Sequence, residues 1–147
     1  MQEHIKHFDE LTPDELYDII KLRIDVFVVE QECAYMELDG LDKKAVHVWL
    51  SDDDGIKAYL RVMDRGVEHE FVSIGRVVTA ARGEGLGRRI MDLGIRVAEE
   101  LFGADNIYLE AQTYAQGFYA KHGFSQVSDV FMLDGIPHVK MVRQKAE

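Results

Sequence analysis

The amino-acid sequence predicts a mixed α/β fold in which helices cover the faces of a central sheet. Apolar residues recur at helical spacing in some segments and at every second position in others. The two kinds of segment alternate along the chain, which favours a sheet packed against helices. With 147 residues, of which 47% are hydrophobic and 30% charged, the chain has enough apolar surface for one core. We expect a single domain spanning residues 1–147.

The first predicted element is a helix that begins at Pro13 and ends near Val28. Thr12 can cap its first turn, and Glu15 completes a capping box. The acidic segment 30–45 has no regular period. We expect that segment to form a loop or a short helix.

The middle of the chain predicts three strands followed by a long helix. The strands cover residues 46–50, 56–63 and 71–79, and the second alternates apolar and polar side chains. The helix begins near Gly85. Gly103 ends it, because glycine readily adopts the left-handed conformation that follows a helix.

The last third of the chain predicts a strand at 107–111, a short helix at 115–122 and a hairpin. The hairpin joins residues 124–133 to 137–142 through Asp134-Gly135. Its strands can pair between subunits, so a homodimer is one expectation and a covered sheet edge is the other.

Charge and cysteine content restrict the partners and the compartment. The net charge is −10, from 17 basic and 27 acidic residues, which argues against nucleic acid as a partner. It suits amine-bearing partners, although solubility alone also explains an acidic protein. The single cysteine, Cys33, excludes an internal disulfide and favours a reducing compartment. Residues 1–8 lack a signal-peptide core, and no apolar run approaches the roughly 20 residues of a membrane span. We expect a cytoplasmic protein without a membrane partner.

A glycine-rich turn precedes the long helix and is the most informative motif. Gly83, Gly85 and Gly87 occupy alternate positions, so backbone N–H groups can approach a ligand there. The helix N-terminus adds unsatisfied donors, and Arg82 and Arg88 add positive charge. These features favour a phosphate or diphosphate ligand, and tight packing of the turn is the alternative. The spacing matches neither a Walker loop nor a dinucleotide fingerprint, whose third glycine is replaced by Arg88.

This turn and a second motif resemble the GCN5-related N-acetyltransferase (GNAT) superfamily. The superfamily's cofactor motif, Arg/Gln-x-x-Gly-x-Gly/Ala, is matched by Arg82, Gly85 and Gly87. Its second motif has Asn, then Ala three residues on, then Tyr before Gly-Phe. The matching positions are Gln112, Ala115, Tyr119, Gly123 and Phe124, with Gln112 where many members have Asn. Further runs similar to the ElaA-like branch are residues 22–31, Asp39-Gly40, 75–78 and 134–138.

The resemblance implies a mostly antiparallel sheet, acetyl-CoA as donor, and direct attack by an amine acceptor in a ternary complex. The diphosphate would lie on the turn, and the pantetheine arm would pair with the preceding strand like an added strand. The implied cofactor-binding residues are Val77, Val78, Thr79, Arg82, Gly83, Glu84, Gly85, Leu86, Gly87, Arg88, Gln112, Ala115 and Phe118.

Tyr119 matches the superfamily's general acid, which protonates the departing thiolate. Packing on a short helix is the alternative role for this side chain. Glu110 is the first candidate for the general base, because it ends a predicted strand before the second motif. Weaker candidates are Glu30, His47 and His138, and a solvent relay can replace a dedicated base. No pair of residues has metal-ligand spacing, so we expect no metal.

The acceptor is expected to be a small-molecule or peptide amine. A cationic amine would be attracted to the acidic residues Glu30, Glu32, Glu37, Asp39 and Asp42, for which a solvated loop is the alternative explanation. Two other functions stay open from the sequence. One is a CoA-binding regulatory module without turnover, and the other is a binding domain for a different phosphate ligand.

Overall fold

The computed structural model describes residues 1–145 and contains an eight-stranded sheet with helices on both faces. The strands are β1 (Gln2–His7), β2 (Ala45–Asp52), β3 (Gly55–Met63), β4 (Val72–Thr79), β5 (Asn106–Gln112), β6 (Phe124–Gln126), β7 (Phe131–Leu133) and β8 (Ile136–Gln144). The helices are α1 (Pro13–Ile24), α2 (Leu86–Phe102) and α3 (Gln116–Ala120). The strand order is β1-β2-β3-β4-β5-β8-β6, and β7 also pairs with β8. The mixed α/β class is therefore confirmed.

Only β4 and β5 pair in parallel, and every other strand pair of the described sheet is antiparallel. The parallel register joins Val72 to Ile107 and Ser73 to Tyr108, and it stops there. Beyond these two positions the strands no longer pair. This divergence at the middle of the sheet provides room for a ligand.

The two faces of β3 pack against different helices. Leu60 and Val62 point into the main core beneath α2. Tyr59, the residue before Leu60, points to the opposite face of the sheet, where it packs with Trp49 and with Ile19 of α1. The alternation of the strand thus places α1 and α2 on opposite faces of the sheet.

The predicted capping box of α1 is present. The Thr12 hydroxyl accepts a hydrogen bond from the Glu15 N–H at 3.1 Å, and the Glu15 carboxylate accepts one from the Thr12 N–H at 2.9 Å. The α-helical part ends at Ile24. The chain then continues as a π-helix from Asp25 to Glu30, so the helical segment extends two residues beyond the predicted end at Val28.

Helix α2 packs unusually close to β3. A Cβ atom at Gly94 would lie 2.7 Å from Leu60 Cδ2, so only glycine fits that contact without a shift. Gly103 ends the helix in the left-handed conformation, at φ +60°, as its position in the sequence predicts. No helix within residues 1–145 has the length and hydrophobicity needed to cross a lipid bilayer.

The structure differs from the predicted sheet in two places. The sequence does not predict β1. This edge strand pairs only with β2, so most of its side chains are exposed and its sequence has little apolar pattern. Residues 124–133 do not form one strand. They divide into β6 and β7, because the chain leaves the ladder between them, where the Ser128 hydroxyl accepts a hydrogen bond from the Lys140 N–H at 2.9 Å.

Candidate functional site

A cleft of about 790 Å³ opens where β4 and β5 diverge. Its walls come from the π-helix, β4, β5, the segment before α3, α3 itself and the turn between β7 and β8. The N-terminal and C-terminal parts of the chain therefore meet at this cleft. A concave site at the diverging ends of strands is a common location for ligands.

The β4 wall carries a bulge. Tyr59 pairs with Val78, and Arg61 pairs with Gly75, so β4 has one more residue than β3 between these positions. Arg76 lies in the bulge at φ +54°, a left-handed conformation that costs a non-glycine residue about 1–2 kcal/mol. Past the last β5 pairing at Ser73, no strand within residues 1–145 pairs with the β5-facing edge of β4. Backbone groups along this edge are available to an extended ligand.

The glycine-rich turn follows β4 directly. Gly83 and Gly85 have φ values of +81° and +70°, and a Cβ atom at either position would meet nothing within 4 Å. α2 begins after Gly85 without a side-chain cap, so its first N–H groups are available to an anion. The turn therefore provides an open backbone surface that suits a diphosphate.

The predicted cofactor residues fall into two groups. Six line the cleft: Val77, Val78, Thr79, Arg82, Gln112 and Ala115. Seven lie outside its lining: Gly83, Glu84, Gly85, Leu86, Gly87, Arg88 and Phe118. Within the second group, Leu86 is buried in the core, and a Cβ atom at Gly87 would lie 3.3 Å from the Phe118 ring. Phe118 thus packs α3 against the start of α2.

Tyr119 lines the cleft from α3. The rings of Phe118 and Phe124 meet it edge-on, with centroids 5.1 and 6.2 Å away. Its hydroxyl has no hydrogen bond to any group in the part of the chain that the structure describes. Burial raises the pKa of Tyr119 above its ordinary value. The phenol is therefore neutral at physiological pH and can donate a proton into the cleft.

Three of the four candidate general bases lie in the cleft. Glu110, Glu30 and His138 line the cleft, and His47 does not. The His47 ring is instead buried and lies 2.7 Å from the Tyr59 hydroxyl and 2.9 Å from the Asp42 carbonyl oxygen. Burial lowers the pKa of His47.

Glu68 also lines the cleft, although no motif in the sequence predicts it as a site residue. Burial raises the pKa of Glu68, and the charge of Glu110 raises it further, against the opposing effects of Arg61 and Arg76. The only signal in the sequence was a polar, turn-like stretch before β4. Nothing in that stretch predicts that the Glu68 side chain lines the cleft.

Three arginines and three carboxylates form a buried network beside the cleft, which we call the ionic network. Its members are Arg23, Arg61, Arg76, Glu37, Asp39 and Asp42. The Asp42 carboxylate accepts hydrogen bonds from Arg23 at 2.8 Å and from Arg61 at 2.9 Å. Arg76 Nε donates to Glu37 Oε2 at 3.0 Å.

The ionic network corrects the interpretation of the acidic segment. Glu37, Asp39 and Asp42 are not free to bind an acceptor amine, because arginines of the same chain neutralise them. Partial burial would raise the pKa of Asp39, but its hydrogen bonds from Arg61 outweigh that effect and lower the pKa to about 2. The segment is therefore fixed to the sheet by charge pairing.

The open end of the cleft is spanned by side-chain contacts. Gln112 Nε2 on β5 donates to Gln31 Oε1 at 3.3 Å. Arg82 lies 3.6 Å from Glu30, and both of these side chains are exposed. Among the described residues, no group of three His, Cys, Asp or Glu side chains is arranged to hold a metal ion.

Comparisons with known proteins agree on the family. Residues 10–145 match the model of the acetyltransferase (GNAT) domain. The sequence is 37% identical to the protein ElaA of Escherichia coli over 144 residues, covering 94% of this chain and 93% of that protein.

Two crystal structures extend this similarity to the fold. An acyl-CoA N-acyltransferase from Pseudomonas aeruginosa superimposes with a TM-score of 0.92 at 40% identity, covering 97% of this chain and 99% of the other. E. coli ElaA superimposes with a TM-score of 0.91 at 35% identity and the same coverage.

Proposed function

The chain belongs to the GNAT acetyltransferase family, in its ElaA-like branch, and from this premise we propose that it transfers an acetyl group from acetyl-CoA to an amine acceptor. The whole chain, residues 1–147, would form one acetyltransferase domain. The observation that carries the proposal is the unpaired edge of β4 leading into the open glycine turn. This arrangement offers consecutive binding surfaces for an extended diamide and for a diphosphate.

The residues present fit acetyl-CoA. Val77, Val78 and Thr79 would bind the pantetheine amides through the backbone of β4. The diphosphate would lie on the N–H groups of the turn, where Gly83, Glu84, Gly85, Leu86, Gly87 and Arg88 supply the backbone and Arg82 and Arg88 add charge. Gln112, Ala115 and Phe118 would contact or support the bound molecule from the β5 and α3 side. Acetyl-CoA supplies the activated acyl group as a thioester.

Tyr119 is proposed as the general acid. Its side chain lines the cleft, and its raised pKa keeps the phenol protonated, so that it can serve as a proton donor. In the transfer, the amine nitrogen forms a bond to the carbonyl carbon and the carbon–sulfur bond breaks. Tyr119 delivers a proton to the departing sulfur, and a β4 backbone N–H stabilises the carbonyl oxygen. Glu110 is proposed to accept the amine proton, directly or through a second carboxylate of the cleft.

The deciding experiment combines ligand binding with turnover. Acetyl-CoA at about one hundred times its dissociation constant should stabilise the fold by about 2.7 kcal/mol in a thermal-shift assay, and ATP at the same concentration should not. Thiol release from acetyl-CoA is then measured across a panel of small-molecule and peptide amines. Release above the rate of hydrolysis supports the enzyme. Binding of acetyl-CoA without release for any amine would instead indicate a regulatory CoA-binding module.

The surroundings of the reaction are part of the proposal. The unpaired thiol of Cys33 suits the reducing cytoplasm, and the net charge of −10 disfavours nucleic acid. Near the β8 side of the sheet, Val127, Val130 and Met132 are 57–63% exposed, which supports a homodimer formed through that region. Light scattering after size exclusion tests the dimer directly.

A further inference from the structure

The loop between β3 and β4 is held in one conformation by contacts on both sides of Glu68. The Gly66 N–H donates to the His69 carbonyl at 2.8 Å, and the Phe71 N–H donates to His69 Nδ1 at 3.0 Å. The His69 ring stacks on Tyr108 of β5 with centroids 3.7 Å apart. The loop therefore attaches to β5, and Glu68 lines the cleft from a fixed position.

Glu68 and Glu110 both line the cleft, and neither forms an ion pair within residues 1–145. Lys140 lies opposite Glu110 in the β5–β8 register. Its ammonium group is instead positioned over the Phe131 ring, 5.9 Å from the centroid. Among the described residues, no cationic side chain therefore pairs with Glu68 or Glu110.

The arginines that line the cleft are already paired. Arg61 is bound by Asp39 and Asp42, Arg76 is bound by Glu37, and Arg82 lies beside Glu30. Among the described residues of the cleft lining, an acceptor that carried a carboxylate beside its amine would find no unpaired arginine. It would also be repelled by the charges that the two glutamates add.

Tyr108 supplies a third acceptor at the same place. Its side chain is 5% exposed, and its hydroxyl lies beside the Glu110 carboxylate, to which it can donate a hydrogen bond. Burial raises the pKa of Tyr108, and the neighbouring Glu110 raises it further. A primary ammonium group has three N–H donors. Glu68, Glu110 and Tyr108 offer three oxygen-bearing side chains that have no other cation to bind.

We propose that Glu68 and Glu110 receive the acceptor as an alkylammonium ion without a carboxylate beside the nitrogen, and that Glu68 takes its first proton. This inference rests on the proposed function. Free alkylamines and lysine side chains belong to this chemical class, and free α-amino acids do not. Glu110 acts as the second carboxylate of the site and Tyr108 as a neutral hydrogen-bond acceptor.

The proton balance is complete with groups already named. The ammonium ion gives one proton to the Glu68 carboxylate, and the released lone pair forms the bond to the carbonyl carbon. The carbon–sulfur bond breaks, and Tyr119 protonates the sulfur that takes the electron pair. A second nitrogen proton leaves the product amide through water and restores Tyr119, and Glu68 returns its proton to solvent. The charges of Arg61, Arg76, Asp39 and Glu110 act on Glu68, and burial raises the pKa of Glu68, which favours the protonated form that this transfer produces.

The first test measures binding without turnover. Calorimetry with the full chain loaded with CoA uses n-butylamine as the probe. Norvaline, which is the same amine carrying a carboxylate beside the nitrogen, serves as its matched counterpart. We expect n-butylamine to bind, norvaline to bind at least about tenfold more weakly, and Glu68→Gln to weaken n-butylamine by about tenfold. Glu70→Gln is the control on the same loop, because Glu70 lies outside the cleft lining.

The second test follows kcat/KM for n-butylamine from pH 4 to pH 9 with acetyl-CoA. The wild type should lose activity on the acidic side as Glu68 becomes protonated, and Glu68→Gln should lose both rate and that acidic limb. Equal n-butylamine affinity in wild type and Glu68→Gln, or norvaline binding as tightly as n-butylamine, overturns the inference. If binding depends on Glu68 but no amine is acetylated, the ammonium site stands and the proposed function fails.

Discussion

Gln112 on β5 and Gln31 after the π-helix join across the open end of the cleft through a 3.3 Å hydrogen bond between their side-chain amides. The bond links two segments 81 residues apart in sequence. Gln112 is also the position at which the family's second motif has Asn. The amide that would contact the cofactor is therefore engaged within the protein, by a long hydrogen bond that a ligand can replace.

Replacing Gln112 should weaken the cofactor more than replacing Gln31. Gln112→Leu removes the amide itself, and the loss of one hydrogen bond of about 0.5–1.5 kcal/mol should raise KM for acetyl-CoA by about two- to twelvefold. Gln31→Leu breaks the same internal bond but leaves Gln112 free for the ligand. Its KM should stay equal or fall. Steady-state kinetics at saturating amine compares the two, and an equal increase in both variants contradicts a cofactor contact at Gln112.

Removal of the Tyr119 hydroxyl should reduce turnover with little effect on stability. The ring of Tyr119 packs between Phe118 and Phe124, and the oxygen faces the cleft without a partner. Tyr119→Phe should therefore lower kcat by about ten- to a thousandfold, with water replacing part of the function. Tyr17→Phe, at an α1 residue that is 70% exposed, is the matched control. A wild-type kcat in Tyr119→Phe at saturating substrates would exclude Tyr119 as the acid.

Acid should release the charge pairing of Asp39 with Arg61. The pKa of Asp39 in the folded protein is about 2, below its ordinary value of 3.8. Its stabilising contribution is therefore complete above about pH 4 and is lost as the pH falls towards 2. Asp39→Asn should lower the free energy of unfolding by about 1 kcal/mol at pH 7, and by progressively less below pH 4.

Urea unfolding followed by the fluorescence of Trp49, the only tryptophan and 3% exposed, measures this difference. Asp53→Asn, in the exposed turn between β2 and β3, is the control. A difference between Asp39→Asn and wild type that stays constant from pH 7 to pH 2.5 would contradict the charge-pairing explanation.

The contribution of Glu68 to stability should depend on pH in the opposite direction to that of Asp39. Its folded pKa lies above the ordinary value of 4.5, so the folded state favours the protonated form. The contribution of Glu68 to stability is greatest below pH 4.5 and decreases as the pH rises through the raised pKa. Glu68→Gln, which cannot ionise, should therefore have a higher Tm than wild type at pH 7 and nearly the same Tm at pH 4. A lower Tm at pH 7 would mean that the carboxylate stabilises the loop.

The contact between α2 and β3 should not tolerate one additional methyl group. In Gly94→Ala the new Cβ would lie 2.7 Å from Leu60 Cδ2. Overpacking of this kind costs about 1–3 kcal/mol. Leu60→Val should recover part of the loss in the double variant. Gly117→Ala, where a Cβ meets nothing within 4 Å, should leave stability equal or slightly higher. Equal unfolding midpoints for Gly94→Ala and wild type would show that Leu60 moves freely.

Local signals in the sequence were sufficient for most of the fold. The capping box at Thr12, the alternation in β3 and Gly103 at the end of α2 each depend on neighbouring residues, and each is present in the structure. β1 and the π-helix have no comparable local signal. The pairing of β1 is decided by β2, whose paired residues lie 39 to 49 positions away in sequence.

Local signals in the sequence predicted only part of the candidate site. Motif spacing led to the β4 edge and to Tyr119, because both belong to short segments with recognisable chemistry. Glu68 and the role of Arg61 depend on contacts between distant segments. The loop of Glu68 is oriented by the stacking of His69 on Tyr108, and Arg61 on β3 neutralises carboxylates some 20 residues earlier in the chain.

The balance of three positive and three negative side chains in the ionic network restricts how this part of the protein can evolve. Loss of one of the fully buried members, Arg23, Arg61 or Glu37, leaves an uncompensated ion in a poorly hydrated interior, at a cost of several kcal/mol. Stepwise drift through single substitutions is therefore blocked. Homologous sequences should retain all six positions together, or exchange oppositely charged partners as a correlated set, while the exposed residues around them vary independently.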